Sequence, residues 1–364
     1  MSDKKRVGLL GATGIAGQQF IAALANHPWF ELRRVAASER NDGKTVRQAL
    51  TEASGALRWY ADGELPEAMG KLILEPAASL RTDDLDLLFS AVESDPAKIL
   101  EPLHARAVPV ISAASAFRYD PDVPLILPPV NAAHLALLSV QQHKRGSKGF
   151  ILPMPNCTTT GLAIALKPLA DAFGLRQVQM TSMQALSGAG RSPGVTALDV
   201  LDNLVPYIPG EEEKVARETS KILGLLDGEG IVPHPVKVSC TCTRVAVLDG
   251  HTESVFVTLE RSATLAQVRA ALADFRAGGE VDSLPSAPPR WIDVHDDPYR
   301  PQPRLDRQAG GGMTTSVGRL RLDSTVEHGL KLVLVSHNTK LGAAKGAILA
   351  AELCVVRGLI GAVG

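Results

Sequence analysis

The stretch GLLGATGIAG, residues 8–17, follows directly on a short apolar run and opens a helical pattern. Its glycines Gly11, Gly14 and Gly17 have the spacing G-x-x-G-x-x-G, a variant of the fingerprint of strand–turn–helix units that bind a dinucleotide. Glycine permits the tight turn and lets backbone N–H groups approach a pyrophosphate at the helix N-terminus. A purely structural glycine turn is the alternative, but the strand before it and the helix after it favour a nucleotide loop.

The elements around this loop predict a doubly wound α/β sheet. Residues 6–10 read as a buried strand, 18–26 as a helix and 31–37 as the next strand. Two further strands are predicted at 85–90 and 108–112, and a helix at 96–106 lies between them. The strand–helix alternation is regular up to about residue 150.

Beyond residue 150 the pattern changes. Residues 175–186, 236–248 and 253–260 are β-rich without a short helix after each strand, which predicts a mostly antiparallel or mixed sheet in a second domain. The proline-rich segment 284–305 is expected to wrap over the surface in an ordered way. Residues 341–353 are small and apolar and predict a final helix.

Composition restricts the class of protein. The 364 residues include 45% hydrophobic and 21% charged residues and carry a formal net charge of −1, as expected of a globular protein with two domains. No basic block predicts a nucleic-acid partner, and no apolar run is long enough to predict a membrane span. Four scattered cysteines predict neither a disulfide scaffold nor a metal site, and the N-terminus does not resemble a signal peptide. These features favour the cytoplasm.

The residues after the second predicted strand bear on the choice of cofactor. NAD enzymes usually place an acid there to bind the ribose hydroxyl. Here Ser38, Arg40 and Lys44 offer a hydroxyl and two cations, which suit the 2′-phosphate of NADP. Glu39 lies between them and could instead be the acid that an NAD enzyme requires. The pattern favours NADP.

A candidate nucleophile lies in the stretch PNCTTTG, residues 155–161, which leads into an apolar helix. A cysteine at a helix N-terminus lies near the positive end of the macrodipole, which favours the thiolate. Cys157 is in that position. A buried structural cysteine is the alternative, and the other polar motifs of the chain decide against it.

Two further motifs carry chemistry. Arg244 and His251 bracket an apolar strand and a turn, and histidine is the usual proton carrier near neutral pH. Glu211 and Lys214 begin a probable helix and share one face, so they could bind a zwitterionic or phosphorylated substrate. A structural histidine is the alternative for His251. A solvated acidic first turn of a helix is the alternative for Glu211 and Lys214.

Taken together, the motifs resemble the aspartate-β-semialdehyde dehydrogenases, and the archaeal and fungal branch of that family in particular. The resemblance runs over nearly the whole chain. Its motifs are GATGIAGQ, SAASAFR (112–118), PNCTTTG, QALSGAG (184–190), DNLVPYIPGEEEK (202–214), CTRVAVLDGHTE (242–253), RPQPRLD (300–306), GGMTTSVGRLR (311–321) and HNTKLGAAKGAILAAEL (337–353).

The resemblance implies a reaction and a role for each site residue. Cys157 would attack L-aspartyl-4-phosphate to give a thioester, which NADPH would reduce to the semialdehyde, with His251 as acid/base and Gln184 orienting the acyl group. Substrate binding would fall to Arg118, Asn156, Glu211, Lys214 and Arg244. The residues Ser187, Gly188, Gly190 and Asn338 would lie near the nicotinamide, and the loop residues Gly11, Thr13, Gly14, Ile15 and Ala16 would hold the pyrophosphate.

The resemblance also implies an architecture. Residues 1–152 would form an NADP-binding Rossmann-type domain, completed by a C-terminal helix in 338–364, and residues 153–337 a mixed α/β catalytic and dimerisation domain. A homodimer or homotetramer is expected. The alternatives are a malonyl-CoA reductase on the same scaffold and a non-catalytic NADP-binding protein. An N-acetylglutamyl-phosphate reductase or a glyceraldehyde-3-phosphate dehydrogenase fits the motifs less well.

Overall fold

The computed structural model describes residues 4–189 and 197–361. The chain forms two compact units. Within the described residues, the first unit comprises 4–126, 133–154 and 343–361, and the second comprises 127–132 and 155–342 without the gap.

The helices and strands are numbered along the chain. The helices are α1 (Ile15–Leu24), α2 (Val46–Leu50), α3 (Glu67–Gly70), α4 (Ser94–Ala105), α5 (Pro128–Asn131), α6 (Leu137–Arg145), α7 (Cys157–Phe173), α8 (Ala197–Val200), α9 (Glu211–Ile222), α10 (Leu265–Ala273), α11 (Gly279–Asp282), α12 (Pro303–Asp306) and α13 (Lys345–Val356). The strands are β1 (Lys5–Leu10), β2 (Phe30–Ala37), β3 (Leu74–Pro76), β4 (Leu87–Ser90), β5 (Val110–Ser112), β6 (Ile151–Pro153), β7 (Leu175–Gln184), β8 (Leu225–Asp227), β9 (Gly230–Val232), β10 (Lys237–Arg244), β11 (His251–Leu259), β12 (Ile292–Val294), β13 (Thr315–Asp323) and β14 (Gly329–Ser336).

The first unit is built on a parallel six-stranded sheet in the order β3-β2-β1-β4-β5-β6. The strand order changes direction at β1, so the turn after β1 lies at the switch point where such sheets bind ligands. In the register, Leu10 pairs with Ala36 and also with Ser90. The ends of β1, β2 and β4 therefore meet at one edge, and the predicted doubly wound fold is confirmed.

Aromatic packing and a buried polar pair connect helices of the first unit to the rest of it. The ring of Phe89 on β4 lies 5.0 Å from that of Phe20 on α1, so α1 covers the sheet through its apolar face. Near the chain's end, Glu352 of α13 is fully buried, and its Oε1 lies 2.7 Å from Nε2 of His27. The C-terminal helix thus belongs to this unit, although it spans only Lys345–Val356 and follows a π-helical turn at Lys340–Ala344.

The second unit is built on a mixed six-stranded sheet in the order β10-β7-β11-β14-β13-β12. β10 pairs with β7, and β12 with β13, in parallel, while the central pairs are antiparallel. This agrees with the predicted mixed sheet. The proline-rich segment, expected to be an ordered wrap, contains the edge strand β12 at Ile292–Val294.

Helix α7 lies tightly against this sheet and α9 packs beside it. A Cβ added to Gly161 of α7 would lie 2.3 Å from Oγ of Ser336 on β14, so only glycine permits this approach. Along β11 burial alternates: His251, Glu253 and Val255 are buried, whereas Phe256 is 42% exposed on the other face. One face of the sheet is therefore covered by helices. In the described part of the chain no helix is long and apolar enough to cross a membrane.

Candidate active site

The predicted nucleotide loop lies between β1 and α1 in the first unit. Gly11 has φ +77°, and a Cβ there would lie 2.6 Å from the carbonyl oxygen of Ala91. A Cβ on Gly17 would lie 2.2 Å from the carbonyl oxygen of Gly11, so the helix can approach the turn only with glycine. Gly14, the N-cap of α1, is exposed and provides no side chain to cap the helix. The first-turn N–H groups of Ile15 and Ala16 thus suit an anion.

The candidate 2′-phosphate residues lie at the same edge of the sheet. Ser38, Arg40 and Lys44 follow β2 and are all exposed, and Nζ of Lys44 donates to Oδ1 of Asn41 at 3.3 Å. Glu39 is exposed in the same turn. Together with the loop after β1, these side chains form a polar edge that could accept a nucleotide with an extra phosphate.

Arg118 also belongs to the first unit, in the loop that follows β5. Its side chain is buried, and its Nη2 donates to the carbonyl oxygen of Ala113 at 3.1 Å. Ser112 fixes the start of the same loop, because its Oγ donates to Glu101 and accepts from the N–H of Ala114 at 3.0 Å. Burial raises the pKa of the Glu101 carboxyl that accepts the first of these bonds. The guanidinium of Arg118 is thus held by its own loop.

The nucleophile candidate begins α7 in the second unit. Cys157 is the first residue of this 17-residue helix and is half-buried. Oδ1 of Asn156 accepts from the N–H groups of Thr158 and Thr159, at 2.9 and 3.2 Å, and so caps the helix. The predicted position of Cys157 at a helix N-terminus is confirmed, and the thiol lies at the positive end of a long macrodipole.

His251 lies directly beside this thiol. Its Nε2 is 3.1 Å from Sγ of Cys157, and its Nδ1 accepts from the backbone N–H of Ala185 at 3.1 Å. The ring is fully buried, and burial, with the nearby charge of Arg244, lowers the pKa of His251 to about 3. The imidazole is therefore neutral at pH 7, and because Nδ1 accepts, its proton is on Nε2, facing the sulfur.

A buried carboxylate organises the polar side chains around the nucleophile. Oε1 of Glu211, the first residue of α9, accepts from Nδ2 of Asn156 at 2.8 Å and from Nε2 of Gln184 at 3.1 Å. Oγ1 of Thr158 lies 3.4 Å from the same oxygen. Nζ of Lys214 lies 3.7 Å from the other oxygen, Oε2. The sequence prediction that Glu211 and Lys214 share a helix face is confirmed.

Arg244 is the last residue of β10 and pairs in register with Gln184. Its guanidinium is buried, and its Nη1 donates to the carbonyl oxygen of Ala185 at 2.7 Å. Burial lowers the pKa of Arg244 while the neighbouring Cys157 opposes that shift. A Cβ on Gly188 would lie 3.0 Å from Nη1 of Arg244 and 3.1 Å from Cε1 of His251, so Gly188 forms a close backbone wall beside both groups.

The remaining predicted residues form a small hydrogen-bonded group. Nδ2 of Asn338 donates to Oγ of Ser187 at 2.8 Å, and its Oδ1 accepts from the N–H of Gly250, next to His251, at 2.8 Å. Gly190, also predicted near the nicotinamide, lies outside the described residues. The second unit thus brings together Cys157, His251, Gln184, Asn156, Glu211, Lys214, Arg244, Ser187, Gly188 and Asn338.

Sequence reasoning did not single out several residues that line this cluster. The backbone N–H of Ala185 orients the imidazole, and Oε2 of Glu218 accepts from the N–H of Asn156 at 2.6 Å. A Cβ on Gly342 would lie 2.8 Å from Cβ of Cys157, so this glycine forms another wall of the site. Glu218 could have been found, because it lies seven residues after Glu211 and hence on the same face of α9.

The cluster suits covalent catalysis by a thiol. It combines a sulfur at a helix N-terminus, a neutral imidazole whose N–H faces that sulfur, and buried charges of both signs. Over residues 4–189 and 197–361, no group of three histidine, cysteine or acidic side chains is placed to hold a metal ion.

Comparison with known proteins assigns the family. Residues 6–138 match the family described as "Semialdehyde dehydrogenase, NAD binding domain", and residues 166–341 match "Semialdehyde dehydrogenase, dimerisation domain". The aspartate-semialdehyde dehydrogenase of Methanothermobacter thermautotrophicus is 47% identical over 95% of this chain and 98% of its own length. This chain belongs to the aspartate-semialdehyde dehydrogenase family.

Further relatives confirm the predicted archaeal and fungal affinity. The aspartate-semialdehyde dehydrogenase of Saccharomyces cerevisiae is 40% identical over 99% of this chain and all of its own length. The crystal structure of aspartate semialdehyde dehydrogenase with NADP from Candida albicans is 37% identical and covers 98% of this chain and 100% of that chain, with a TM-score of 0.87. The family and the fold class inferred from the motifs are therefore both confirmed.

Proposed function

We propose that this enzyme reduces L-aspartyl-4-phosphate to L-aspartate-4-semialdehyde with NADPH, through a thioester on Cys157. The reaction belongs to the biosynthesis of lysine, threonine and methionine. The observation that carries the proposal is the 3.1 Å approach of the Cys157 sulfur to Nε2 of His251 inside a buried cluster of opposite charges. The shared family and the NADP in the Candida albicans structure support it.

In this proposal Cys157 is the nucleophile. The thiolate form of its sulfur, favoured at the N-terminus of α7, attacks the carbonyl carbon of the acyl phosphate. The S–C bond forms, and phosphate leaves with the electrons of the C–O bond. NADPH, when bound, supplies the hydride that reduces the thioester carbon. The S–C bond then breaks, its electrons return to Sγ, and the aldehyde is released. The thioester divides one difficult step into two easier ones.

His251 is the proposed acid/base group, and with its proton on Nε2 it first acts as a donor. Its Nε2–H faces the sulfur, so it can donate a hydrogen bond to the thiolate and to the oxyanion that forms on the attacked carbonyl. Since Nδ1 is occupied by the N–H of Ala185, the ring cannot turn its proton away from the sulfur without losing that bond. Gln184 would orient the acyl group while its amide nitrogen is held by Glu211.

The charged side chains fit the remaining groups of the substrate. Arg244 is proposed to bind the α-carboxylate and Glu211 the ammonium group, whereas Arg118 and Lys214 bind the phosphate with Asn156 alongside. The burial of Arg118, Arg244 and Glu211 strengthens their pairings because water competes less with the substrate. An acyl-CoA substrate has no ammonium group and would not require Glu211, which lies near the nucleophile through its contacts with Asn156.

NADP is proposed to bind at the edge of the parallel sheet. The residues Gly11, Thr13, Gly14, Ile15 and Ala16 would hold the pyrophosphate, and Ser38, Arg40 and Lys44 the 2′-phosphate. The glycine turn and the uncapped start of α1 suit this assignment. Residues 1–152 with the C-terminal helix would then be the NADP-binding domain, and 153–337 the catalytic and dimerisation domain. Ser187, Gly188 and Asn338 would lie near the nicotinamide.

A homodimer is the proposed assembly, and the open face of the mixed sheet is the proposed contact. Phe256 on β11 is 42% exposed on that face, and Gln179 and Thr181 of β7 are exposed beside it. The match of residues 166–341 to a family described as a dimerisation domain supports this assembly. Light scattering should give twice the chain mass for the wild type, and a Phe256→Arg variant should shift towards the monomer. We place the enzyme in the cytoplasm.

The proposal is tested by following NADP⁺ reduction with L-aspartate semialdehyde and inorganic phosphate. Turnover should require phosphate, be lost in Cys157→Ser and fall strongly in Glu211→Ala. The matched control is Cys240→Ser, because Cys240 is half-exposed and its thiol donates to the carbonyl oxygen of Glu212. NADPH oxidation that appears only when malonyl-CoA is supplied would overturn the proposal in favour of an acyl-CoA reductase.

A further inference from the structure

Glu218 is a buried carboxylate that the mechanism above does not use. It lies on α9 seven residues after Glu211, which places both side chains on one face of the helix. Glu218 is fully buried and Glu211 is only 6% exposed. Burying a carboxylate is costly unless it is hydrogen-bonded. An apolar side chain would pack at position 218 without that cost, so the contacts of this carboxylate need an explanation.

The two carboxylates hold the same residue from two sides. Oε2 of Glu218 accepts from the backbone N–H of Asn156 at 2.6 Å, and Oε1 of Glu211 accepts from Nδ2 of Asn156 at 2.8 Å. Oδ1 of Asn156 in turn caps α7. The backbone and the side chain of the residue before Cys157 are therefore both fixed by α9.

This arrangement bears directly on the nucleophile. Pro155 precedes the turn and has no N–H, so the N–H of Asn156 is the nearest preceding backbone donor that can anchor the start of α7. If that hydrogen bond is lost, the first turn of α7 can shift. The distance between Cys157 Sγ and His251 Nε2, now 3.1 Å, then changes as well. Displacements of about 1 Å at a reacting group can lower a rate by about 10²-fold.

We propose that Glu218 is a positioning residue for Cys157, and that Glu211 and Glu218 together form a clamp on Asn156 that fixes the sulfur against His251. This inference rests on the proposed thioester function. Glu218 does not touch the substrate in this assignment. It acts through the backbone of Asn156, so its loss should lower turnover far more than substrate affinity.

The variants Glu218→Asp, Glu218→Leu and Glu218→Gln separate this role from a general effect on folding. Aspartate keeps the charge but is one methylene too short to reach the N–H of Asn156, and leucine fills the space without an acceptor. Glutamine keeps an acceptor oxygen at the right distance. Glu213→Gln is the matched control, because Glu213 is an exposed acid in the first turn of the same helix.

The readouts are kcat and KM for L-aspartate semialdehyde, and the rate of Cys157 alkylation by iodoacetamide across pH. For Glu218→Asp and Glu218→Leu we expect kcat to fall about 10²-fold with KM within about threefold, and a changed pH profile of alkylation. Glu218→Gln should retain at least about a tenth of the wild-type kcat. The control Glu213→Gln should match the wild type.

The outcomes distinguish this inference from the proposed function. A folded Glu218→Asp or Glu218→Leu variant with wild-type kcat and alkylation would overturn the clamp while leaving the thioester reaction in place. If Glu218→Leu fails to fold, Glu218→Asp alone decides the question by the same criteria. A wild-type enzyme without phosphate-dependent turnover would instead contradict the proposed function itself.

Discussion

Most polar side chains around Cys157 are buried and hydrogen-bonded to one another, whereas the proposed 2′-phosphate ligands after β2, Ser38, Arg40 and Lys44, are exposed. In the catalytic cluster, one oxygen of Glu211 accepts hydrogen bonds from both Asn156 and Gln184. At the nucleotide edge, the fit depends on backbone shape, through Gly11 and Gly17, which leave no room for a Cβ. In the proposed function, catalysis therefore depends on side-chain atoms fixed by hydrogen bonds, whereas cofactor binding depends on a fixed backbone and a few exposed charges.

The largest effect is expected from replacing His251 in the catalytic cluster. His251→Asn removes the N–H that faces the sulfur, and kcat should fall about 10²- to 10⁴-fold. Because the pKa of His251 is about 3, the wild-type rate should not follow an imidazole titration between about pH 5 and 8. Steady-state kinetics against pH provide the measurement. The exposed His143→Asn serves as control, and an equal loss in both variants would contradict the assignment.

A backbone change should have the corresponding effect at the nucleotide edge. In Gly17→Ala the new Cβ would lie 2.2 Å from the carbonyl oxygen of Gly11. The atoms nearest to it belong to the backbone, so they cannot move aside without distorting the turn. We expect a loss of about 1–3 kcal/mol in the free energy of unfolding and weaker NADP binding. Thermal melting with and without NADP measures both. The control is Gly230→Ala, whose added Cβ has no neighbour within 4 Å; equal melting of the two variants would show that the turn tolerates a side chain.

A smaller effect is expected from the exposed charges beside that turn. The double variant Arg40→Ala, Lys44→Ala should reduce the preference for NADP over NAD by roughly tenfold, because exposed pairs are screened by water and contribute roughly 1 kcal/mol or less each. Glu39→Gln should act in the opposite direction by removing a neighbouring anion. The ratio of kcat/KM for the two cofactors is the measurement. An unchanged ratio in the double variant would show that other residues recognise the 2′-phosphate of NADP.

A separate effect, on stability rather than on activity, is expected at a buried group of the second unit that lies two residues after His251. Neither carboxylate oxygen of Glu253 has a hydrogen-bond partner among the described residues, and burial raises its pKa well above the ordinary value. The folded protein therefore keeps a proton that the unfolded chain loses above about pH 4.5, and stability falls as pH rises from there towards the folded pKa.

Glu253→Gln should remove this pH dependence. Relative to the wild type, the variant should gain up to about 1.4 kcal/mol in the free energy of unfolding for each pH unit within that window. Urea unfolding at pH 5, 6, 7 and 8 is the measurement. A stability difference that does not vary with pH would mean that Glu253 is ionised in the folded protein.

The sequence predicts both the residues and the local structure of the nucleotide edge. For the catalytic cluster it predicts the residues but not their mutual contacts. The glycine turn is local, so its spacing indicates both the fold and the loop around Gly11. Cys157, His251 and Glu211 could be named from motifs, but their mutual contacts depend on strand register and on the approach of α7 to β14 at Gly161. No local pattern specifies those distances, because they are set by the packing of elements far apart in the chain.

The same reason explains what the sequence did not reveal. The tautomer of His251 depends on the backbone N–H of Ala185, which carries no sequence signature. The role of Gly342 as a wall beside Cys157 depends on a π-helical turn 185 residues later in the chain. The edge strand β12 was obscured because prolines surround Ile292–Val294.

The most direct test of the central claim is a single-turnover experiment without phosphate. With NADP⁺ and L-aspartate semialdehyde, the wild type should release one NADPH per active site and stop, because the acyl group remains on Cys157 as a thioester. Mass spectrometry should find that adduct on the peptide containing Cys157, and added phosphate should release it and restore turnover. Continuous NADPH formation without phosphate, or an adduct on another residue, would contradict the thioester mechanism.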